Sequence, residues 1–293
     1  MKVHVIANPA AGRGRTKRLV EGLSRALGER GATVSVHWTT GAGDARAHVA
    51  ALPDAAADRL AVVGGDGTLH EVVNARERPL PWPVALCPRG TANLVARDAA
   101  VPLRASVERW ADLVTTGRPW EVDLLATDRG RALAVVGAGL DAQVVRAVAA
   151  ARGTGKGGYS RWLLPIARSF LDYRAPRLHV VVDGTHHVEG GAVIVQNTNC
   201  YGGIFTLSRD ACMDDGRLDV IVLRGGRRRD HFRMLLRAFE GGLERDRDVE
   251  IRAGTSVEVR SDPPTAVQID GDPAGETPLT ARVVPHGLTL LRP

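Results

Sequence analysis

Short apolar runs alternate with segments of helical period through the first 120 residues. Val3-His4-Val5-Ile6-Ala7 and residues 33–38, 60–63 and 83–88 read as strands. Between them, Leu19, Leu23, Ala26 and Leu27 mark one face of a helix that Gly31 ends, and an Ala-rich helix runs to about Leu52. Leu69, Val72 and Val73 begin a third helix. Thr68 and Glu71 have the spacing of a capping box, which predicts that this helix starts there. Another helix is expected after Asn93. Alternating strands and helices predict an α/β domain with a parallel sheet covered on both faces. In such sheets ligands sit beyond the carboxyl ends of the strands. The loops at residues 8–16, 39–45, 64–68 and 89–93 all follow strands, so they are expected to gather at that edge.

After Pro119-Trp120 the pattern changes. Strand-like runs occur at residues 121–127, 132–136, 178–182, 191–196, 218–223, 257–259 and 266–269, which predicts a mainly antiparallel sheet or β-sandwich. Two helices are expected to interrupt it, over residues 159–173 and 230–243. The predicted organisation is therefore an α/β domain over residues 1–120 and a β-rich domain over 121–283, with about 284–293 returning to the first. There is no internal repeat and no low-complexity tract.

Composition narrows the partners. The net charge is +6, and nearly all the basic residues are Arg, with Lys only at 2, 17 and 156. That balance suits an anionic partner such as nucleotide, acidic lipid or nucleic acid without choosing among them, and a nucleic-acid role would rest on charge alone, so none is expected. Cys87, Cys200 and Cys212 form no metal or disulfide pattern, which suggests a reducing compartment. Met1 runs straight into a strand, so no signal peptide is expected. No apolar run nears the roughly 20 residues that span a bilayer. A cytoplasmic protein is expected, with any membrane contact peripheral, on the inner face.

The chemistry concentrates in Gly64-Gly65-Asp66-Gly67-Thr68, between a strand and a helix. Glycine lets the backbone approach a ligand closely, and a helix N-terminus offers free N–H groups to phosphate. A plain strand-to-helix turn is the competing reading, but it requires less glycine than this. Other signals are weaker. Gly137-Ala138-Gly139-Leu140-Asp141-Ala142 matches a dinucleotide fingerprint but lacks the acid about 20 residues on. Gly153-Thr154-Gly155-Lys156-Gly157 has no Ser or Thr after its Lys and reads as a turn. His186-His187 reads as a pair of exposed loop histidines. There is no Gly-x-Ser-x-Gly elbow.

The ordered set of motifs resembles the diacylglycerol kinase catalytic family, including bacterial lipid kinases similar to sphingosine and ceramide kinases. The resemblance covers nearly the whole chain. It rests on Asn8-Pro9, on residues 64–74, on Pro88-Arg89-Gly90-Thr91-Ala92-Asn93, on residues 137–142, on Asn197 and Tyr201-Gly202-Gly203, on residues 214–219, and on Ile269-Asp270-Gly271-Asp272. It implies ATP as co-substrate and Mg²⁺ as cofactor. Asn8, Thr40, Gly64, Gly65, Gly67, Thr68, Thr91 and Asn93 would hold the nucleotide, and Asp66 would organise Mg²⁺ near the phosphates. Asp270 would be the general base on a lipid hydroxyl. Asp215, with the carbonyls of Cys212 and Arg217, would hold a structural Mg²⁺; an ordinary Asp-Gly turn is the alternative there. Leu94 stands where many bacterial relatives carry Asp, and Asp272 where the family carries Glu.

The resemblance thus implies transfer of the γ-phosphate to a lipid hydroxyl, diacylglycerol or similar, in a cleft between the domains. A kinase on a soluble acceptor, akin to NAD kinase, and a non-catalytic nucleotide-binding regulator are the alternatives. Arg13, Arg15 and Lys17 are candidates for balancing phosphate charge. Two apolar helix faces are candidates for a bilayer surface or for packing on the sandwich: Tyr159, Trp162, Leu163, Ile166 and Phe170, and Phe232, Leu235, Leu236, Phe239 and Leu243 beside an Arg cluster. The acceptor lipid and the oligomeric state are not legible.

Overall fold

A computed structural model describes residues 1–152, 167–169, 171–203, 205–226 and 228–293. The chain divides into two compact units, residues 1–123 with 285–293, and residues 124–284.

The first unit contains β1 (Lys2–Ala7), α1 (Thr16–Glu29), β2 (Thr33–Trp38), α2 (Asp44–Ala51), β3 (Arg59–Gly64), α3 (Asp66–Val73), β4 (Val84–Pro88), α4 (Leu94–Asp98) and α5 (Val107–Thr116). The strands form a parallel sheet in the order β2-β1-β3-β4. Val5, Ile6, Leu60, Ala61, Val63 and Val84 are fully buried, which matches their near-continuous apolar runs, since a parallel sheet is covered on both faces. Leu19, Val20, Leu23, Ala26 and Leu27 form the buried stripe of α1. Gly31 at φ 76° follows this helix, a conformation that glycine adopts without a Cβ penalty. α5, unassigned from sequence, packs on α1; Ser106 caps it by accepting from Arg109 N at 3.3 Å.

One local expectation fails. α3 starts at Asp66, and its N-cap is Gly65, with no side-chain cap bond. Thr68 lies inside the helix and its Oγ1 accepts from Asn8 Nδ2 at 3.2 Å. Glu71 accepts from the Gly43 and Ala45 N–H groups at 2.8 and 3.1 Å. Both side chains serve neighbouring loops, so tertiary contacts displace the local capping box.

The linking strand β5 (Arg118–Thr127) leads into the second unit. There follow β6 (Gly130–Ala132), β7 (Val135–Ala138), α6 (Leu140–Arg152), β8 (Leu178–Val182), β9 (His186–Gly190), β10 (Ala192–Gln196), β11 (Cys200–Tyr201), β12 (Phe205–Thr206), β13 (Leu218–Leu223), α7 (Arg228–Phe239), β14 (Val249–Gly254), β15 (Ser256–Ser261), β16 (Ala266–Ile269), β17 (Asp272–Glu276) and β18 (Leu279–Arg292). An antiparallel sheet runs β14-β13-β10-β7-β16-β17. β8 pairs with β9 and β15, and β15 pairs with the first residues of β18. Val136, Val195, Val220 and Val267 from the six-stranded sheet share one core with Val180, Val182, Val257 and Leu279. The period of two along β15, buried Val257 and Val259 between exposed Glu258 and Arg260, places those residues. The last residues of β18 belong to the first unit, where Leu290 and Leu291 pair in parallel with β4.

His186 and His187 lie on β9, not in a loop, and His186 Nε2 meets Glu250 Oε1 at 2.6 Å. The helix expected over 159–173 falls largely outside the described residues, as does the whole of 153–157. Among the described residues no helix is long and apolar enough to cross a membrane.

Candidate active site

In the first unit, loops from successive strand ends are tied together by main-chain and side-chain bonds. Asn8 N donates to Val63 O at 3.0 Å, Gly12 N to Arg89 O at 3.2 Å, and Arg89 N to Gly64 O at 2.7 Å. Asn8 bridges further: Oδ1 accepts from Ala10 N at 2.9 Å, and Nδ2 reaches Thr68. The closest approach is backbone on backbone. A Cβ on Gly65 would lie 2.8 Å from Gly90 Cα, and a Cβ on Gly90 would lie 2.6 Å from Gly65 Cα. A Cβ on Gly64 would meet Thr68 Oγ1 at 2.5 Å. These glycines are therefore required by contact between two loops as well as by any ligand.

A crevice lined by Gly64, Gly65, Asp66, Leu86, Pro88 and Asn93 opens where these loops meet. Asp66 is the first residue of α3, where a carboxylate is favoured by the helix dipole. Gly67 is exposed with open space around it, and Thr91 is exposed on the neighbouring loop. Asn93 also braces its own loop. It is buried at φ 49°, and its side chain accepts from Gly90 N and donates to Gly90 O, both at 2.9 Å. It holds the loop that presents Thr91. Thr40 donates through N and Oγ1 to Asp44 Oδ2 at 2.6 and 2.9 Å, and these bonds hold the Asp44 carboxyl below its usual range. Glu71 connects this loop to α3. Behind it, His4, His48 and His37 stack, and burial with mutual repulsion pushes His4 down to about 4.

A cation to which the motifs assign no role is Arg89 of the Pro88–Asn93 loop. It is half-buried with its guanidinium 4.8 Å over the Trp110 ring, and burial lowers its pKa, with Arg15 adding repulsion. Two cationic side chains are thus placed beside the strand-end loops. Leu94 is buried in α4 as a core residue.

In the second unit, Asp270 sits on the turn between β16 and β17 at φ 48°, followed by Gly271 at φ 85°. Its Oδ2 accepts from Leu133 N at 2.8 Å, and its Oδ1 accepts from Ala134 N and Val135 N at 2.9 and 3.0 Å. Three backbone N–H groups therefore bind the carboxylate, so it anchors its turn whatever else it does. Beside it, Asp141 Oδ2 accepts from Gln268 Nε2 at 2.8 Å, and Asp141 Oδ1 accepts from the Tyr201 hydroxyl. Burial pushes Asp141 up to about 6. A folded value above the unfolded one means that this carboxyl opposes folding increasingly as pH rises from about 4 through about 6. Gly137 is glycine because a Cβ there would lie 2.1 Å from Asp141 Oδ2. The Gly-x-Gly-x-x-Ala string thus encodes room for a buried acid, with no dinucleotide needed.

The remaining candidates form a separate cluster. Asp215 Oδ1 accepts from Arg217 N at 2.9 Å across Gly216, and Cys212 Sγ donates to Asp214 Oδ1 at 2.8 Å. Burial raises Asp219, and Asp215 and Asp210 raise it further. Among the described residues no three acid, His or Cys side chains are grouped to hold a metal ion. A set of one carboxylate and two main-chain carbonyls does not depend on such a group. Carboxylate and carbonyl oxygens are of the kind that suit a hard cation.

Comparison with known proteins gives the family. Residues 2–127 match the model of the diacylglycerol kinase catalytic domain, and residues 134–292 match that of the YegS C-terminal NAD kinase beta sandwich-like domain. A diacylglycerol kinase of Mycobacterium tuberculosis is 27% identical over 100% of this chain and 95% of its own length. One from Bacillus subtilis is 26% identical over 94% of this chain and 91% of its own. Among solved structures, a protein from Bacillus anthracis described as a putative diacylglycerol kinase superposes with a TM-score of 0.80 at 23% identity, covering 100% of this chain and 95% of that one. An NAD kinase from Archaeoglobus fulgidus, solved in complex with ATP, gives 0.53 at 12%, covering 100% and 94%. An α/β unit joined to a β-sandwich-like unit is the fold this chain shares with those solved structures, and with a diacylglycerol kinase catalytic domain followed by a YegS-type C-terminal domain the chain belongs to the diacylglycerol kinase family.

Proposed function

We propose that the protein is an ATP-dependent lipid kinase that phosphorylates a lipid hydroxyl, diacylglycerol or one like it. The observation that carries the reading is the convergence of the loops around Gly12, Gly65 and Gly90 on Asp66 at the α3 N-terminus. Such a cradle suits a polyphosphate: the positive end of a helix, and glycines that let a ligand approach the backbone closely. Asn8, Thr40, Gly64, Gly65, Gly67, Thr68 and Thr91 would line it, with Asn93 fixing its shape. Arg15 and Arg89 would balance charge on the phosphates. Mg²⁺ bound at Asp66 would neutralise charge between the phosphates, and a second ion at Asp215 and the Cys212 and Arg217 carbonyls would be structural.

The chemistry left to the protein is alignment and proton removal. Asp270 would accept the hydroxyl proton as the acceptor oxygen bonds to the γ-phosphorus and the bond to ADP breaks. With labelled ATP and Mg²⁺, label is expected in the chloroform phase of a reaction with total lipid extract and none in NADP from a reaction with NAD. Labelled NADP would overturn the lipid reading in favour of a soluble acceptor, and label in neither would leave a nucleotide-binding regulator.

Contact with an anionic bilayer through α7 is part of this reading. Met234, Ala238 and His231 are buried, whereas Phe232, Leu236 and Phe239 are 61%, 50% and 70% exposed. Arg229 and Arg237 flank this stripe and are exposed. An exposed apolar stripe beside arginines has the chemistry of a helix lying in a negatively charged interface. Replacing Phe232, Leu236 and Phe239 together by Ser is expected to cut sedimentation with phosphatidylglycerol vesicles about tenfold. The melting temperature should change little, because these side chains are at least half in water, with Phe239 edge-to-face on Phe205. Unchanged sedimentation would refute docking through α7.

A further inference from the structure

The turn that carries Asp270 is held from beneath by a short polar relay. Gly271 N donates to Gln268 Oε1 at 2.8 Å, Gln268 Nε2 donates to Asp141 Oδ2 at 2.8 Å, and the Tyr201 hydroxyl donates to Asp141 Oδ1. Gln268 and Asp141 are 1% and 8% exposed. An ionised carboxylate has only acceptor oxygens, so the nitrogen of the Gln268 amide must face Asp141. That leaves the amide oxygen aimed at the turn, where it takes the N–H next to Asp270. With the amide reversed, Nε2 would oppose the Gly271 N–H, donor against donor.

We propose that Gln268 and Asp141 are positioning residues for the Asp270 turn, Asp141 setting the sense of the Gln268 amide and Gln268 fixing the backbone from which the Asp270 carboxylate projects. This rests on the reading of Asp270 as the group that takes the acceptor proton. The glycine at 137 is part of the device, since a Cβ there would enter the space of both Asp141 Oδ2 and Gln268 Nε2. Among the described residues, the other ionisable groups around Asp141 are Tyr201 and Tyr173, the latter interacting with it electrostatically. β17, packed on α6, adds Asp272 and Glu276, with Glu276 paired to Arg146 at 3.4 Å.

The test uses the full chain and two kinds of readout. Gln268→Leu removes both bonds at similar volume. It is expected to speed exchange of the Gly271 amide at least tenfold and to lower kcat for lipid phosphorylation at least tenfold, with KM for ATP within twofold. Gln268→Glu places two carboxyls face to face, where they share one proton. At pH 6 this variant should recover kcat to within threefold of wild type, because the shared proton restores both bonds. By pH 9 the recovery should be lost as the pair ionises fully. Adding Asp141→Asn should abolish that pH dependence. The inference is overturned if Gln268→Leu leaves Gly271 exchange or kcat at the wild-type level. It is also overturned if kcat, ATP affinity and protection across the whole chain fall together while Gln268→Glu recovers nothing at pH 6. Amide exchange decides the hold on the turn without any turnover, so absence of lipid kinase activity in wild type would defeat the functional reading separately.

Discussion

Asp270→Asn is expected to lower turnover by at least about 10³-fold while ATP affinity stays within a few fold. Two losses combine in this substitution. An amide is no base, and a positioned general base contributes about 10²–10⁴-fold. The carboxylate also accepts three backbone N–H bonds from Leu133, Ala134 and Val135. An amide presents one oxygen, and its NH₂ group would face at least one of those donors. Bonds to a charged acceptor contribute about 1.5–3 kcal/mol each, so a melting temperature several degrees lower is also expected. ATP affinity is spared because the nucleotide loops belong to the other unit. Steady-state kinetics, ATP titration and a melting curve check the three parts. Wild-type turnover would end the role of Asp270 as base. An unchanged melting temperature would contradict its role as anchor of the turn.

Gly65→Ala is expected to weaken ATP binding by about 30-fold or more without unfolding the β-sandwich. The added methyl would lie 2.8 Å from Gly90 Cα. Backbone stands on the other side, so no side chain can swing away and one of the two loops must move. A loop shift that loses one hydrogen bond to a charged phosphate, about 1.5–3 kcal/mol, weakens binding about 10- to 150-fold. The reciprocal Gly90→Ala meets Gly65 Cα at 2.6 Å and Asn93 Oδ1 at 2.7 Å, and should be at least as damaging. Gly28→Ala in α1 is the control, because nothing lies within 4 Å of its Cβ position and it is outside the loops. Isothermal titration with a non-hydrolysable ATP analogue reads all three. Equal affinities for the Gly65, Gly28 and wild-type chains would show that the loop contact does not shape the nucleotide site.

Much of the first unit was legible because its signals are local. A buried parallel strand is an apolar run, and Arg59–Gly64 and Val84–Pro88 are recognisable as such. Less of the second unit was legible. β9, β14 and β17 carry half-exposed or exposed residues such as His187, Glu250 and Asp272, and their strand character comes from neighbours already in the sheet. α5 was missed although Trp110 and Leu113 have helical spacing, because its burial against α1 is a tertiary fact. The exposure of Phe232, Leu236 and Phe239 was equally unreadable, since an amphipathic helix looks the same whether its second apolar stripe is covered or bare.

The chain's own order of residues determined the family, the parallel α/β half, the β-rich half, and the glycine-rich loop around Asp66. Each of these depends on periodicity or on residues adjacent in sequence. Only the tertiary structure decided which side chain does what. Thr68 and Glu71 left their capping box for Asn8 and the loop at Gly43, Asn93 turned inward to hold Gly90, and Asp141 paired with Gln268, 127 positions away. Hydrogen bonds between distant segments have no period along the chain. They exist once folding has brought two loops to one place, and a buried polar group left without them would cost more than the local motif it abandoned.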